Sequence, residues 1–356
     1  MMFRPVTTKL SFENRNVAPP GLSAGTYFPY DIKVSTDGAV IAAPSQEQFD
    51  YIMNGANGEV IFTLPGDNVF GPYAVSGDGS TIARSNISFN SFSGKVEIYD
   101  IKGNLLRTIN NPRVADDYFG TGIALSGDGS IIAIAATYYR VSESLYFGRV
   151  YIYNTSTGAL ITTITDPDGT APQLTNFGVD VLFTQDGSKV VIGRYYYDAN
   201  TFSYARNFFV FNAVTGSLIR NISAPSYFLS QMQISGDGSR LIIGDNTKGY
   251  LIDTNTGSQI TDYTITGASF EPVRMAISAD GSTIALTRRI STASYVNSYI
   301  YIFRGNSNVP VQTITTVKDT ADTLDLALNA DGSVLFYPQE DSYNYSGPVG
   351  VVVVNI

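Results

Sequence analysis

The sequence predicts an all-β chain, a seven-bladed β-propeller with four antiparallel strands per blade. Three observations carry that prediction: an Asp-Gly hairpin phrase written seven times, a second strand–turn–strand phrase after it, and the phase at which the repeats begin and end. The Asp-Gly pairs begin at Asp37, Asp78, Asp128, Asp186, Asp237, Asp280 and Asp331. Their separation runs from 41 residues (Asp37 to Asp78) to 58 (Asp128 to Asp186). A period in this range belongs to solenoids and propellers.

Each Asp-Gly pair sits between short runs of alternating apolar residues, as in "YFGTGIALSGDGSIIAIAA" at 118–136. Gly supplies the positive φ of a tight turn, so the phrase reads as a β-hairpin. The second phrase appears as "GKVEIYDIKGNLLRTI" (94–109), "GRVYIYNTSTGALITTI" (148–164) and "NFFVFNAVTGSLIRNI" (207–222). It is again a strand, a polar turn with Gly and a strand, which brings each period to four strands, one blade. No segment carries a helical apolar period.

The last period stops after its third strand, "GVVVVNI", while residues 1–12, "MMFRPVTTKLSF", precede the first complete blade. Residues 1–356 are therefore read as a single propeller domain, with residues 1–12 holding the closing strand of the last blade. Pairing 3–12 against 351–356 would leave the ring no open edge.

Composition narrows function by exclusion. Lys and Arg number 22 against 31 Asp and Glu, a net charge of −9. That balance opposes nucleic acid, which asks for a basic face, and it opposes anionic lipid. Cys is absent, which removes disulfides, thiolate nucleophiles and Cys-bound zinc. His is absent too, and with it the usual general base near neutral pH and the commonest metal ligand. No apolar run reaches signal-peptide or membrane-span length. A soluble chain is expected, with no cofactor, no metal and no membrane insertion.

The order "F-G…GDGS…GRVYIYN" in the third repeat resembles the FG-GAP repeat of integrin-type propellers and bacterial surface proteins. The phrase Ser-x-Asp-Gly-Ser followed by Ile-Ala or Val-Ile is also similar to WD40-like, YVTN-type repeats. The resemblance implies the blade fold over nearly the whole chain and specifies function poorly. Two departures limit it. Calcium-binding FG-GAP loops carry several Asp or Asn residues, whereas Ser126-Gly127-Asp128-Gly129 offers one carboxylate where calcium takes six to eight oxygens. The Trp-Asp ending of WD40 repeats is missing, and Tyr99-Asp100 and Tyr153-Asn154 stand near its place.

Two sets of aromatic residues stand out. Phe28, Phe70, Phe119, Phe177, Phe228 and Phe270 recur about nine residues before each Asp-Gly and suit a packing role between blades. Tyr residues in the second-to-third-strand loops are not periodic and cluster with Arg. Tyr138, Tyr139, Arg140, Tyr195, Tyr196, Tyr197, Arg288 and Tyr295 are the candidate binding face, because Tyr and Arg offer large contact area with a polar handle. A carboxylate-only glycoside hydrolase needs two acids. The loop acids Asp116, Asp117, Asp198, Glu340 and Asp341 show no spacing that separates an acid from a base.

The reading that follows is a non-enzymatic structural module that binds a protein partner in a virion, as a phage tail or capsid appendage, or on another extracellular surface. The alternatives are an adhesin head that recognises surface glycan for host recognition, and the carboxylate-only hydrolase.

Overall fold

A computed structural model describes residues 15–17, 32–44, 49–65, 71–113, 116–138, 140–142, 145–167, 175–198, 203–224, 231–245, 247–264, 273–291, 296–316, 325–339 and 350–356. They form seven four-stranded antiparallel sheets arranged as a ring, a β-propeller with almost no helix. Blade three shows the pattern: Phe119–Leu125, Ile131–Ala136, Arg149–Asn154 and Leu160–Thr165, paired in that order. The first strands of the others are Lys33–Val34, Tyr73–Val75, Thr175–Phe183, Gln231–Ile234, Met275–Ile277 and Ala327–Leu328.

The seventh blade is completed by an N-terminal strand, as expected, though the pairing falls elsewhere. Arg15–Val17 is the strand that pairs with the last strand, with Arg15 opposite Val353 and Val17 opposite Val351. The stretch 3–12, expected in that place, lies outside the described residues. The free edge of Gly350–Asn355 requires backbone N–H and C=O groups in register, and any three extended residues supply them.

The Asp-Gly hairpin closes through its own side chains. Asp128 Oδ1 accepts from Ser126 Oγ at 2.7 Å and from the Ser130 N–H at 3.0 Å. Ser126 Oγ accepts in turn from the Ile131 N–H at 3.2 Å. The same set recurs at Ser76 and Asp78, Ser235 and Asp237, and Ser278 and Asp280. Gly129 has φ +66°, the left-handed region that Gly enters without strain. The second turn is capped by its Asx residue: Asn154 Oδ1 accepts from the Thr157 N–H at 2.8 Å. Tyr153-Asn154 and Tyr99-Asp100 therefore mark a turn cap, since Asp100 accepts from the Lys102 and Asn104 N–H groups in the same way.

Successive hairpins are also tied to one another. Thr36 donates to the Gly77 carbonyl at 2.9 Å, Asp78 to Gly127 at 2.8 Å and Gly127 to Gln185 at 3.0 Å. Gln185 donates to Gly236, Gly236 to Ala279 and Asp280 to Ala330. These six backbone bonds run from blade one to blade seven.

Cores lie between blades. Phe119 is fully buried among Val96 and Ile98 of blade two and Ile134 and Tyr151 of its own blade. Phe177 does the same between blades three and four, against Val150, Ile152 and Phe209. Phe28, Phe70, Phe228 and Phe270 lie outside the described residues.

Candidate functional site

At the junction of blades two and three, three aromatic rings form a ladder on the end of the ring that carries the second-to-third-strand loops. Phe92 stacks on Tyr118 with centroids 5.1 Å apart and planes at 28°. Tyr118 continues to Tyr138 at 4.8 Å. Phe92 is 46% and Tyr138 41% exposed, and Phe89 beside them is also open to solvent. The Lys95 ammonium sits 4.9 Å over the Phe89 ring.

The backbone under this ladder is strained. Asn90, Ser91, Phe92 and Tyr118 are the non-Gly residues with positive φ among those described, at 50°, 57°, 65° and 57°. A bulky side chain in this region costs about 1–3 kcal/mol, and such residues persist where surrounding contacts hold them. The holding bonds are Gly94 N–H to Phe89 O at 3.0 Å, Tyr118 N–H to Phe92 O at 3.1 Å and Thr121 N–H to Tyr118 O at 3.2 Å. Asp117, next to Tyr118, is buried; its carbonyl accepts from the Tyr138 N–H at 3.2 Å and its Oδ1 from Asn111 Nδ2. Burial pushes its carboxyl up against the opposing pull of that bond. A carboxyl enclosed in this way is part of the support of the ladder and does not face solvent.

The other candidate residues are distributed over different blades. Tyr195, Tyr196 and Tyr197 lie on the second strand of blade four, opposite Arg206, Ala205 and Tyr204. Arg194 covers the Tyr196 ring at 4.4 Å and Arg206 the Tyr195 ring at 5.4 Å. Tyr197 is exposed. Arg288, expected on a contact face, is only 4% exposed, and burial pulls its guanidinium below the usual range. It stands opposite Tyr299 on the second strand of blade six. Arg140 opens a small hairpin, Arg140–Ser142 with Leu145–Tyr146. Tyr139 and Tyr295 lie outside the described residues, as do Glu340 and Asp341, while Asp198 ends the second strand of blade four.

Phe89, Phe92 and Tyr118 were not singled out by sequence. The available signal was "SFNSFSG" at 88–94, two Phe residues in a polar loop, and the Tyr directly before Phe119-Gly120.

Two buried charge clusters elsewhere are paired. Arg84 meets Glu97 at 2.7 Å and the Pro65 carbonyl at 2.6 Å, and Lys95 meets the other Glu97 oxygen at 2.5 Å. Arg194 meets Asp166 at 3.0 Å, and Thr175 donates to the same carboxylate. Among the described residues no group of three or more His, Cys, Asp or Glu converges as a metal site, and no helix is long and apolar enough to cross a membrane.

No family model matches the sequence, and no curated protein matches it. In three dimensions the chain is similar to hydrazine synthase of Kuenenia stuttgartiensis, with a TM-score of 0.64 and 15% identity over 94% of this chain and 97% of that one. At that identity the likeness is one of fold.

Proposed function

We propose that the chain is a non-enzymatic interaction module of a virion or another exterior assembly, and that it holds a protein partner through the Phe92–Tyr118–Tyr138 surface. The observation that carries this reading is the coincidence of exposure and strain. Large rings left open to solvent on a backbone that costs free energy to hold are the mark of a surface kept for contact. Aromatic anchors of this kind concentrate binding energy. The repeat itself is taken as FG-GAP-like, with Phe119-Gly120 and Phe177-Gly178 as its Phe-Gly pairs.

A second reading, recognition of surface glycan, is favoured by the open face of Tyr138, on which a sugar ring can stack. The test is location combined with substitution. Immunogold labelling should place the protein at a fixed point on a particle or surface appendage, and Tyr138→Ala should remove it from that point with little change in thermal midpoint. Gold confined to the cell interior overturns the exterior reading. Retention of the variant overturns the role of the ladder.

A further inference from the structure

The first strands of the blades line a central channel of about 380 Å³, within the size of small-molecule sites. Counting back six residues from each turn aspartate gives one equivalent position per blade. In blades two to seven these are Pro72, Gly122, Asp180, Gln231, Arg274 and Asp325; position 31 of blade one lies outside the described residues. All but Arg274 line the channel.

The inner strands have a free edge. Ser126 N–H donates to Ile131 O at 3.0 Å and Thr287 N–H to Arg274 O at 2.9 Å, so the ladder uses alternate residues and the N–H between them turns to the channel side. Among the described residues, a neighbouring side chain meets that N–H in two blades. Met275 N–H donates to Gln231 Oε1 at 3.2 Å, and Ile32 N–H to Asp325 Oδ2 at 3.5 Å. Both acceptors come from the equivalent position of the preceding blade. The residues that precede Ile123 and Val181 in this scheme are Pro72 and Gly122, which have no side-chain oxygen to give. Ile123 and Val181 both line the channel, and Ala74 and Ala124 beside them pack into the cores between blades.

Charge selects the kind of guest. Among the described residues the charged ones that line the channel are Lys33, Asp180 and Asp325. Counted with Arg206, the two carboxylates are balanced by two cations, so the lining carries no excess charge to draw an anion. Each carboxylate already has a cation, Asp325 with Lys33 at 3.6 Å and Asp180 with Arg206 at 3.2 Å, so neither calls for a cationic guest.

We propose that this sector binds a neutral, acetamido-bearing molecule of monosaccharide size. Its amide oxygen takes the place at Ile123 and Val181 that Gln231 Oε1 holds at Met275, and its amide N–H donates to a carbonyl on the same strand edge. The site is separate from the aromatic ladder, and neither reading depends on the other.

The test is titration calorimetry of the full chain with N-acetylglucosamine, glucose and glucuronate. N-acetylglucosamine should bind at least about tenfold more tightly than either of the others, the order of a hydrogen-bonded pair gained. Pro72→Gln, which supplies the missing oxygen from the protein, should weaken it about tenfold. Failure of N-acetylglucosamine to bind, equal binding of glucose or glucuronate, or binding unchanged in the folded Pro72→Gln variant overturns the proposal.

Discussion

Phe119 of blade three presses its carbonyl oxygen against Gly94 of blade two, in the space that a Cβ on Gly94 would fill. Gly148 meets the Phe177 carbonyl in the same way one blade later. The Phe-Gly phrase and the Gly before the third strand are thus two halves of one blade-to-blade contact.

Gly94→Ala therefore meets both a backbone clash and a φ of +82°. It should cost about 3 kcal/mol in chemical denaturation, near the upper range for single substitutions. Gly305→Ala is the control. Its φ is +58°, yet nothing lies within 4 Å of the added carbon, so only the left-handed penalty of about 1–2 kcal/mol applies. Equal losses in the two variants would show that the Phe119 contact adds nothing.

At Phe92 the expectation runs the other way. Gly accepts φ +65° without strain, and the ring it replaces is largely exposed. Phe92→Gly should leave the thermal midpoint unchanged or raise stability by about 1 kcal/mol, while it removes partner attachment. A clear fall in the midpoint would mark the ladder as packing.

Acid should unfold the chain through Glu97 and the hairpin carboxylates. Burial pushes Glu97 up, but bonds from Lys95 and Arg84 and the Arg84 charge outweigh it and hold its carboxyl below the ordinary 4.5. The Ser130 N–H and the Ser126 hydroxyl lower Asp128, and the Thr184 hydroxyl and Ser188 N–H lower Asp186; at Asp78, Asp237 and Asp280 burial pushes up, but the equivalent hydroxyl and N–H bonds outweigh it. Groups depressed in the folded state give stability that is fully present above their unfolded pKa and lost as pH falls through the folded value. Calorimetry from pH 7 to 3 should show the midpoint falling below about pH 4. Glu97→Gln, which leaves Arg84 without its buried partner charge, should cost about 3 kcal/mol at pH 7. Its deficit should shrink at the acid end, and a deficit constant with pH would remove Glu97 from the account.

The blades were legible because each turn is encoded locally. Ser126, Asp128 and Gly129 fold their hairpin with their own side chains, and Asn154 does the same for the next, so the phrase and the structure coincide. The register of closure was not legible. Arg15, Asn16 and Val17 pair with Val353, Val352 and Val351 along the backbone, and no alternation of residue type marks them. The ladder was legible only in Tyr138. The left-handed turn at 90–92 uses Asn, Ser and Phe where composition would ask for Gly, and a contact made across two blades leaves no local period. Arg288 misled for a related reason: its long chain reads as surface, and the fold encloses it.

The six bonds that pass from hairpin to hairpin give the ring a hoop. A load that widens the molecule is shared along that hoop, from Thr36 to Ala330, rather than borne by one sheet. The buckle of the hoop is the three-residue pairing of Arg15–Val17 with Val351–Val353 in blade seven. Pulled apart at those two strands, the ring should part first at the buckle, and the other blades, joined by the cores between them, would be left to unwind.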